Sequence, residues 1–371
     1  MNVLVLCLSH GYGGLELYVY REIKFLQLYG ITCLPVISEN SMLEQKLKQD
    51  RIEYRTLESN NKYFPILTAR KLAKLISENN IDVVHLSWGK DLNLASLGKY
   101  FSSKPVKLVY SRHMEITRSK KDLFHRWFYH QVDKILAVSK MVEENALTFL
   151  PLPKQSIELL YLGVAAPNTT DDACESLLEK YSMTRRTMNI ALFGRIEKGK
   201  AQHIMLFALK LLIDKEYDVS LTLVGHVMDD DYCAKLNELV KSYGLADYVV
   251  FTGMIQDVIN IMPCFDVVVL TTPKETFGLV LVEAMRGGVA VVGANAGGVL
   301  DIIDNNINGL LFEPNDAESL FIALSKLYDN PEMKQRIAKS GKKKADKVFS
   351  EEQHFQQLQN KLSSLISPRV Q

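Results

Sequence analysis

Three segments of the 371-residue chain carry residue types suited to holding a charged ligand. The densest is Pro273-Lys274-Glu275-Thr276-Phe277-Gly278-Leu279-Val280-Leu281-Val282-Glu283, where a loop carboxylate precedes a helical stretch and a second carboxylate follows eight residues later. That spacing puts Glu283 about two turns along the helix. The pair can then read two parts of one ligand whose phosphates rest on the helix N-terminus at Phe277, Gly278 and Leu279, where backbone N–H groups and the helix dipole favour anions. The second segment is Gly194-Arg195-Ile196-Glu197-Lys198-Gly199-Lys200. A guanidinium forks two donors onto phosphate oxygens and an ammonium adds a point charge, so Arg195 and Lys200 are candidates for a diphosphate, with Lys198 competing for the second place. The third is His10-Gly11-Tyr12-Gly13-Gly14-Leu15-Glu16. Gly13 and Gly14 let backbone N–H groups approach an anion, but Glu16 stands where a dinucleotide fingerprint needs glycine. Taken singly, each segment has a bland account: a tight turn, a solvated basic loop, a glutamate facing a helix dipole. The combination of two glutamates with a glycine-bounded helix start favours a ligand.

The elements that must position these residues are short apolar strands alternating with amphipathic helices, the pattern of parallel sheets wrapped by helices. Strands are expected at 3–8, 32–36, 83–87, 107–111, 134–138 and 157–160, with helices such as 15–29 and 66–78 between them. From 163 to 188 the pattern lapses into a polar linker with a short helical piece. A second series follows at 188–194, 219–224, 249–252, 267–271 and 289–293. Beyond Pro331 the chain reads as helix, and Phe355, Leu358, Leu362 and Ile366 form one apolar stripe. Two such halves predict a ligand at strand carboxyl ends.

Composition agrees with a globular α/β protein: 47% of residues are hydrophobic and 23% charged. A net charge of +1 gives no case for wholesale nucleic-acid binding. The charge is nevertheless split, with 22 basic and 16 acidic residues through Thr170 and 22 basic and 27 acidic beyond it. The five cysteines are scattered and form no C-x-x-C pair, so neither a zinc site nor a disulfide framework is expected, and a reducing cytoplasm fits best. Asp229-Asp230-Asp231 reads as solvated loop rather than a metal site. No apolar run reaches the length of a membrane span.

Gly-Arg-x₄-Lys at 194–200, Glu-x-Phe-Gly-x₄-Glu at 275–283 and Gly287…Gly297-Gly298…Asn308-Gly309 together resemble the nucleotide-sugar half of a retaining family 4 glycosyltransferase. Ala137-Val138-Ser139 and Tyr161-Leu162-Gly163-Val164 extend the resemblance over nearly the whole chain. It implies an α/β GT-B fold: two Rossmann-like domains with parallel sheets facing a cleft, and a C-terminal helix crossing back to the first domain. The implied boundaries are 1–166 for acceptor binding, 186–347 for nucleotide-sugar binding and 348–371 for the returning helix. It further implies a nucleotide diphosphate sugar as substrate, a glycan or glycolipid acceptor of cell-surface polysaccharide or lipopolysaccharide synthesis, no cofactor, no required metal and retention of anomeric configuration.

Carried over by position, Arg195 and Lys200 hold the diphosphate, Glu283 the ribose and Glu275 the donor sugar, while Gly13 and Gly14 offer backbone donors. Another nucleotide-sugar enzyme of this fold, such as an epimerase, and a catalytically silent binding subunit are the rival readings. Two departures stand out: Ala201 occupies a position usually held by glycine, and Leu162 one where asparagine is frequent. His113, after a strand, matches the family's histidine near the reacting sugar. Finally, residues 118–130 combine Phe124, Trp127 and Phe128 with a basic face, and Val132 continues the helical spacing just beyond. That is the pattern of a peripheral contact with anionic membrane, set against the plainer reading of a helix burying its aromatics.

Overall fold

The computed structural model describes residues 1–11, 13–58, 63–169, 171–181 and 183–366. The chain forms two units: Met1–Tyr161 together with the chain from His354 onward, and Leu162–Gln353.

In the first unit, strands β1 (Asn2–Cys7), β2 (Thr32–Ile37), β3 (Arg55–Thr56), β4 (Val83–Leu86), β5 (Lys107–Arg112), β6 (Lys134–Ala137) and β7 (Ile157–Leu159) pair in parallel in the order 3-2-1-4-5-6-7. Helices α1 (Gly14–Leu28), α2 (Met42–Gln49), α3 (Ile66–Glu78), α4 (Leu92–Phe101), α5 (Leu123–His130) and α6 (Lys140–Phe149) connect them. The central strands read as unbroken apolar runs because both faces are covered: Val3, Leu4, Val5 and Leu6 are all at most 1% exposed.

The second unit repeats the plan. Strands β8 (Met188–Phe193), β9 (Val219–Val224), β10 (Val249–Gly253), β11 (Val267–Leu270), β12 (Ala290–Ala294) and β13 (Leu310–Phe312) are parallel in the order 10-9-8-11-12-13. Its helices are α7 (Asp171–Lys180), α8 (Gln202–Asp214), α9 (Asp230–Ser242), α10 (Leu279–Arg286), α11 (Val299–Ile302), α12 (Ala317–Asp329) and α13 (Pro331–Val348). The last helix, α14 (Glu351–Ser363), buries Phe355, Leu358 and Leu362, so the stripe in the sequence is a packing stripe. Strand order reverses between β1 and β4 in one sheet and between β8 and β11 in the other, and the loops after these strands flank the crevice where open parallel sheets take ligands.

Several expectations are corrected. Strands β3 and β13 were not anticipated; with two and three residues at sheet edges they carry no alternation to detect. Cys174 and Cys264 form a disulfide across 90 residues of sequence, where scattered cysteines in a reducing cytoplasm and no disulfide framework were expected. Spacing could not reveal it, because α7 and the turn before β11 meet only through the fold. Asp229–Asp231 is not a loop: Asp229 caps α9 by accepting from the Tyr232 N–H at 2.9 Å, and Asp230 and Asp231 lie in the first turn, where the dipole favours carboxylates. Helix α5 does bury Phe128, as the plainer reading holds, yet leaves Leu123 and Trp127 exposed.

Candidate functional site

The second unit brings the two glutamate- and lysine-bearing loops together. The loop after β8 and the loop after β11 leave neighbouring strands at the reversal point, and Lys200 Nζ donates to Glu275 Oε2 at 2.8 Å. Both side chains are about one-fifth exposed, so the pair is shielded yet reachable. Thr271 Oγ1 donates to the Lys200 carbonyl at 2.7 Å, and the buried Gln202 donates through Nε2 to the Arg195 carbonyl at 2.8 Å. These two bonds fix the path of the basic loop from beneath. Lys198, by contrast, is exposed, so Lys200 is the lysine that faces the carboxylate.

Arg195 is not drawn into that pair. Its guanidinium reaches Glu197 Oε1 at 2.9 Å and is more than half exposed, so the remaining N–H donors of its fork are open to an anion.

Glycines hold the Glu275 loop. A Cβ on Gly297 would lie 2.4 Å from the Glu275 carbonyl oxygen, and one on Gly298 would lie 2.3 Å from that of Thr276. Only bare backbone can pass there, and the Gly298 N–H donates to the Glu275 carbonyl at 2.8 Å. Gly278 opens α10 at φ +103°, a conformation reserved for glycine, and the buried Phe277 packs edge-on against Phe349 at 5.8 Å. Leu279 is the first helical residue, so the N–H groups of the first turn open toward the Glu275 loop. Glu283 is half-buried one turn into α10, not two, because the helix starts only after the left-handed Gly278. Gly225, not singled out in the sequence, is equally constrained: a Cβ there would lie 1.9 Å from the Gly194 carbonyl oxygen. Its place at the end of β9 was the available signal.

In the first unit, the glycine loop after β1 is already occupied by its own carboxylate. Buried Glu16 accepts from the Gly13 N–H through Oε2 at 3.0 Å and from the Ser9 hydroxyl through Oε1. The Gly13 N–H, expected to offer itself to a ligand, is held by Glu16, whereas a Cβ on Gly14 would meet open space. Asp91 accepts from the Leu8 N–H at 2.8 Å, and burial pushes its carboxyl up to about 7.

His113 follows β5, in a turn that Arg112 ties down by donating to the Met114 and Glu115 carbonyls at 2.8 and 3.1 Å. Its ring stands edge-on to Tyr18 at 4.7 Å, and its Nε2 is buried without a hydrogen-bond partner. Burial, with the positive character of His354, His85 and Arg112 around it, lowers the imidazole to about 3, so His113 is neutral at physiological pH.

Beneath His113 lies a polar network that motif reading missed. His85 Nε2 is 2.8 Å from Ser111 Oγ, and its Nδ1 contacts Glu22, with all three residues buried. His354 joins through Nε2 to the Tyr18 hydroxyl at 3.1 Å and donates from Nδ1 to the Tyr161 carbonyl at 2.6 Å. Burial lowers His354 to about 4. A histidine inside the apolar run Val83-Val84-His85-Leu86, and a glutamate on the apolar face of α1, were the signals available.

Residues 184–344 match the model of the family described as Glycosyl transferases group 1, and residues 12–166 that of Glycosyltransferase Family 4. N-acetyl-alpha-D-glucosaminyl L-malate synthase of Bacillus anthracis is 24% identical over 295 residues, 78% of this chain and 76% of that relative. The capsular polysaccharide biosynthesis glycosyltransferase CapM of Staphylococcus aureus is 22% identical over 289 residues, 74% of each chain. Among solved structures, Anabaena Alr3699/HepE in complex with UDP and glucose superposes with a TM-score of 0.83 at 22% identity, over 98% of this chain and 100% of that one.

Proposed function

The chain belongs to the family 4 glycosyltransferases of GT-B fold, and on that premise we propose that it moves a sugar from a nucleoside diphosphate sugar to a hydroxyl of a glycan or glycolipid acceptor, with retention and without a required metal. The observation that carries the reading is the Lys200–Glu275 contact beside the N-terminus of α10. A departing diphosphate needs positive charge and N–H donors, and Lys200 with the first turn of α10 supplies both once Lys200 exchanges Glu275 for the phosphate. Arg195 adds a second cation through the donors that Glu197 leaves open. Glu275 holds hydroxyls of the donor sugar and Glu283 those of the ribose. In the first unit, Gly14 is assigned a backbone donor and neutral His113 a hydrogen bond to the sugar; neutrality suits a group that must not repel positive charge developing on the sugar. The relatives' names, a malate glucosaminyl synthase and a capsular polysaccharide enzyme, support a role in building a surface glycan or small glycoside.

The test is turnover of a panel of nucleoside diphosphate sugars in excess EDTA, with the product anomer assigned by NMR. Turnover with the donor's anomeric configuration kept is the expected result. Tight nucleoside diphosphate binding with no turnover on any acceptor would reduce the chain to a binding subunit, and activity restored only by Mg²⁺ or Mn²⁺ would overturn metal independence.

A further inference from the structure

Helix α5 shows two faces. Phe128 packs into the core, with Phe124 partly buried against it, while Leu123, Arg126, Trp127 and His130, spaced i, i+3, i+4 and i+7, are exposed. One helix thus serves the core on one side and presents an apolar-and-basic stripe on the other.

Helix α3 repeats the device. Leu67, Arg70, Lys71 and Lys74 have the same spacing and are all exposed. A ring of contacts joins the two helices at one surface. Phe64, just before α3, meets Phe124 at 5.5 Å; Trp127 meets Tyr100 at the end of α4 at 5.5 Å; and Arg70 of α3 lies over the neighbouring Phe101 ring at 5.7 Å. The stripes therefore belong to one continuous patch. Its apolar members are far more exposed than scattered surface residues need be: Leu123 is 85%, Leu67 76%, Tyr100 62% and Tyr63 59% exposed.

The charge around it is mostly basic: the one acid of α3, Glu78 at its end, contacts Lys74 at 3.6 Å. Residues 63–74 hold three basic and no acidic side chains, and residues 117–131 hold four basic and one acidic. That one acid, Asp122, is spent on capping α5, accepting from the His125 N–H at 3.1 Å.

We propose that this α3–α5 patch docks the protein on an anionic lipid bilayer, with Leu67 and Leu123 entering the acyl boundary, Tyr100 and Trp127 at headgroup level, and the cations of both helices on the lipid phosphates. The chemistry favours this occupant over two others. Tyr63, Tyr100 and Trp127 offer stacking faces, but Leu67 and Leu123, the most exposed members, offer a sugar neither a hydrogen bond nor a stacking face, which disfavours a glycan. A second copy would set seven cations against seven, which disfavours self-association through this face. Leucine, tryptophan and tyrosine amid lysine and arginine match the bilayer interface. The patch stands on its own residues; for the glycosyltransferase reading it means that a lipid-linked acceptor is met at the surface where it resides.

The experiment is co-sedimentation of the full chain with vesicles of phosphatidylcholine alone or mixed equally with phosphatidylglycerol. Wild type should pellet only with the mixed vesicles. Arg70→Ser/Lys71→Ser/Lys74→Ser should lower partition about a hundredfold, at roughly fivefold per cation. Leu67→Ser/Leu123→Ser should lower it even in high salt, where surface attraction is screened over roughly 10 Å or less. All five positions are exposed, so circular dichroism and the melting midpoint should match wild type. Wild type that ignores mixed vesicles at low salt, or an α3 variant that partitions like wild type, overturns the proposal. So does a dimer, seen by sedimentation velocity and lost in the leucine variant, in protein that binds no vesicles. Nucleoside diphosphate affinity, read by calorimetry on the same samples, separates the two readings: its absence in wild type that still pellets strikes the glycosyltransferase assignment alone.

Discussion

Lys200 Nζ lies 2.8 Å from Glu275 Oε2, so the ammonium assigned to the diphosphate is held by the carboxylate assigned to the sugar. Ligand binding must exchange one anion for another around Lys200. Lys200→Ala should therefore weaken nucleoside diphosphate binding by about 1.5–3 kcal/mol, the range for a charge-assisted hydrogen bond. Arg195→Ala should weaken it less, since Arg195 starts solvated and paired with Glu197. Isothermal calorimetry on both variants decides it: unchanged affinity in Lys200→Ala removes the phosphate assignment.

Ala201 begins α8 at φ +52°, in the left-handed region, and is 2% exposed. This explains physically why glycine is usual at the position: a Cβ is strained there by about 1–3 kcal/mol. Ala201→Gly should leave stability unchanged or raise it by up to about 1 kcal/mol, because the greater unfolded-state entropy of glycine offsets part of the relief. Ala201→Val should destabilise clearly. Urea midpoints at constant m-value give the comparison, and a destabilised glycine variant would contradict the backbone geometry.

His113 and His354 couple stability to acid. Their folded values, about 3 and about 4, lie below the ordinary 6.5. Between those values and 6.5 the unfolded chain binds protons that the folded chain refuses, so stability is lost as pH falls from about 6.5 toward 4. Each group contributes a slope of up to about 1.4 kcal/mol per pH unit. His113→Gln should flatten the loss between pH 6 and 4, measured by denaturant unfolding at each pH. The same slope in variant and wild type would place the titration elsewhere.

Cys174 and Cys264 are paired, leaving Cys7, Cys33 and Cys233 as thiols. Unreduced protein, denatured in the presence of a thiol reagent, should therefore titrate fewer thiols than reduced protein by the two of this pair, and Cys264→Ser should raise the unreduced count by one. Equal counts before and after reduction would mean that the pair is not oxidised in the isolated protein.

The alternation of apolar runs and helices was legible because both sheets are buried on two faces, which turns β1 from Val3, β8 from Ile190 and all of β11 into unbroken apolar segments. Edge strands β3 and β13 were not, since two or three residues pairing on one side leave no periodic trace. Lys200 and Glu275 were legible as residue types near strand ends, but their contact was not, because 75 positions separate them and only the β8–β11 pairing closes the gap. Glu16 was read as a missing glycine, whereas its carboxylate is the built-in occupant of the loop. The network of Glu22, His85 and Ser111 was illegible for another reason: each residue comes from a different element, and polar groups in apolar runs announce burial without naming their partners.

The two glutamates separate by role because they separate by place. Glu275 precedes α10 and faces Lys200, while Glu283 sits one turn inside the helix. Ribose hydroxyls are the same in donor and free nucleoside diphosphate, so Glu283→Ala should weaken both ligands equally. The sugar is absent from the free nucleoside diphosphate, so Glu275→Ala should cut turnover strongly, with the loss in kcat if its contact strengthens as positive charge develops on the sugar. The ion pair adds a sign that the spacing alone does not: without Glu275, Lys200 no longer has to be freed, so nucleoside diphosphate affinity in Glu275→Ala should hold or rise slightly. Calorimetry with the nucleoside diphosphate, beside initial rates with the intact donor, reads both effects on the same preparations. If Glu275→Ala abolishes nucleoside diphosphate binding while Glu283→Ala preserves it, the two assignments exchange.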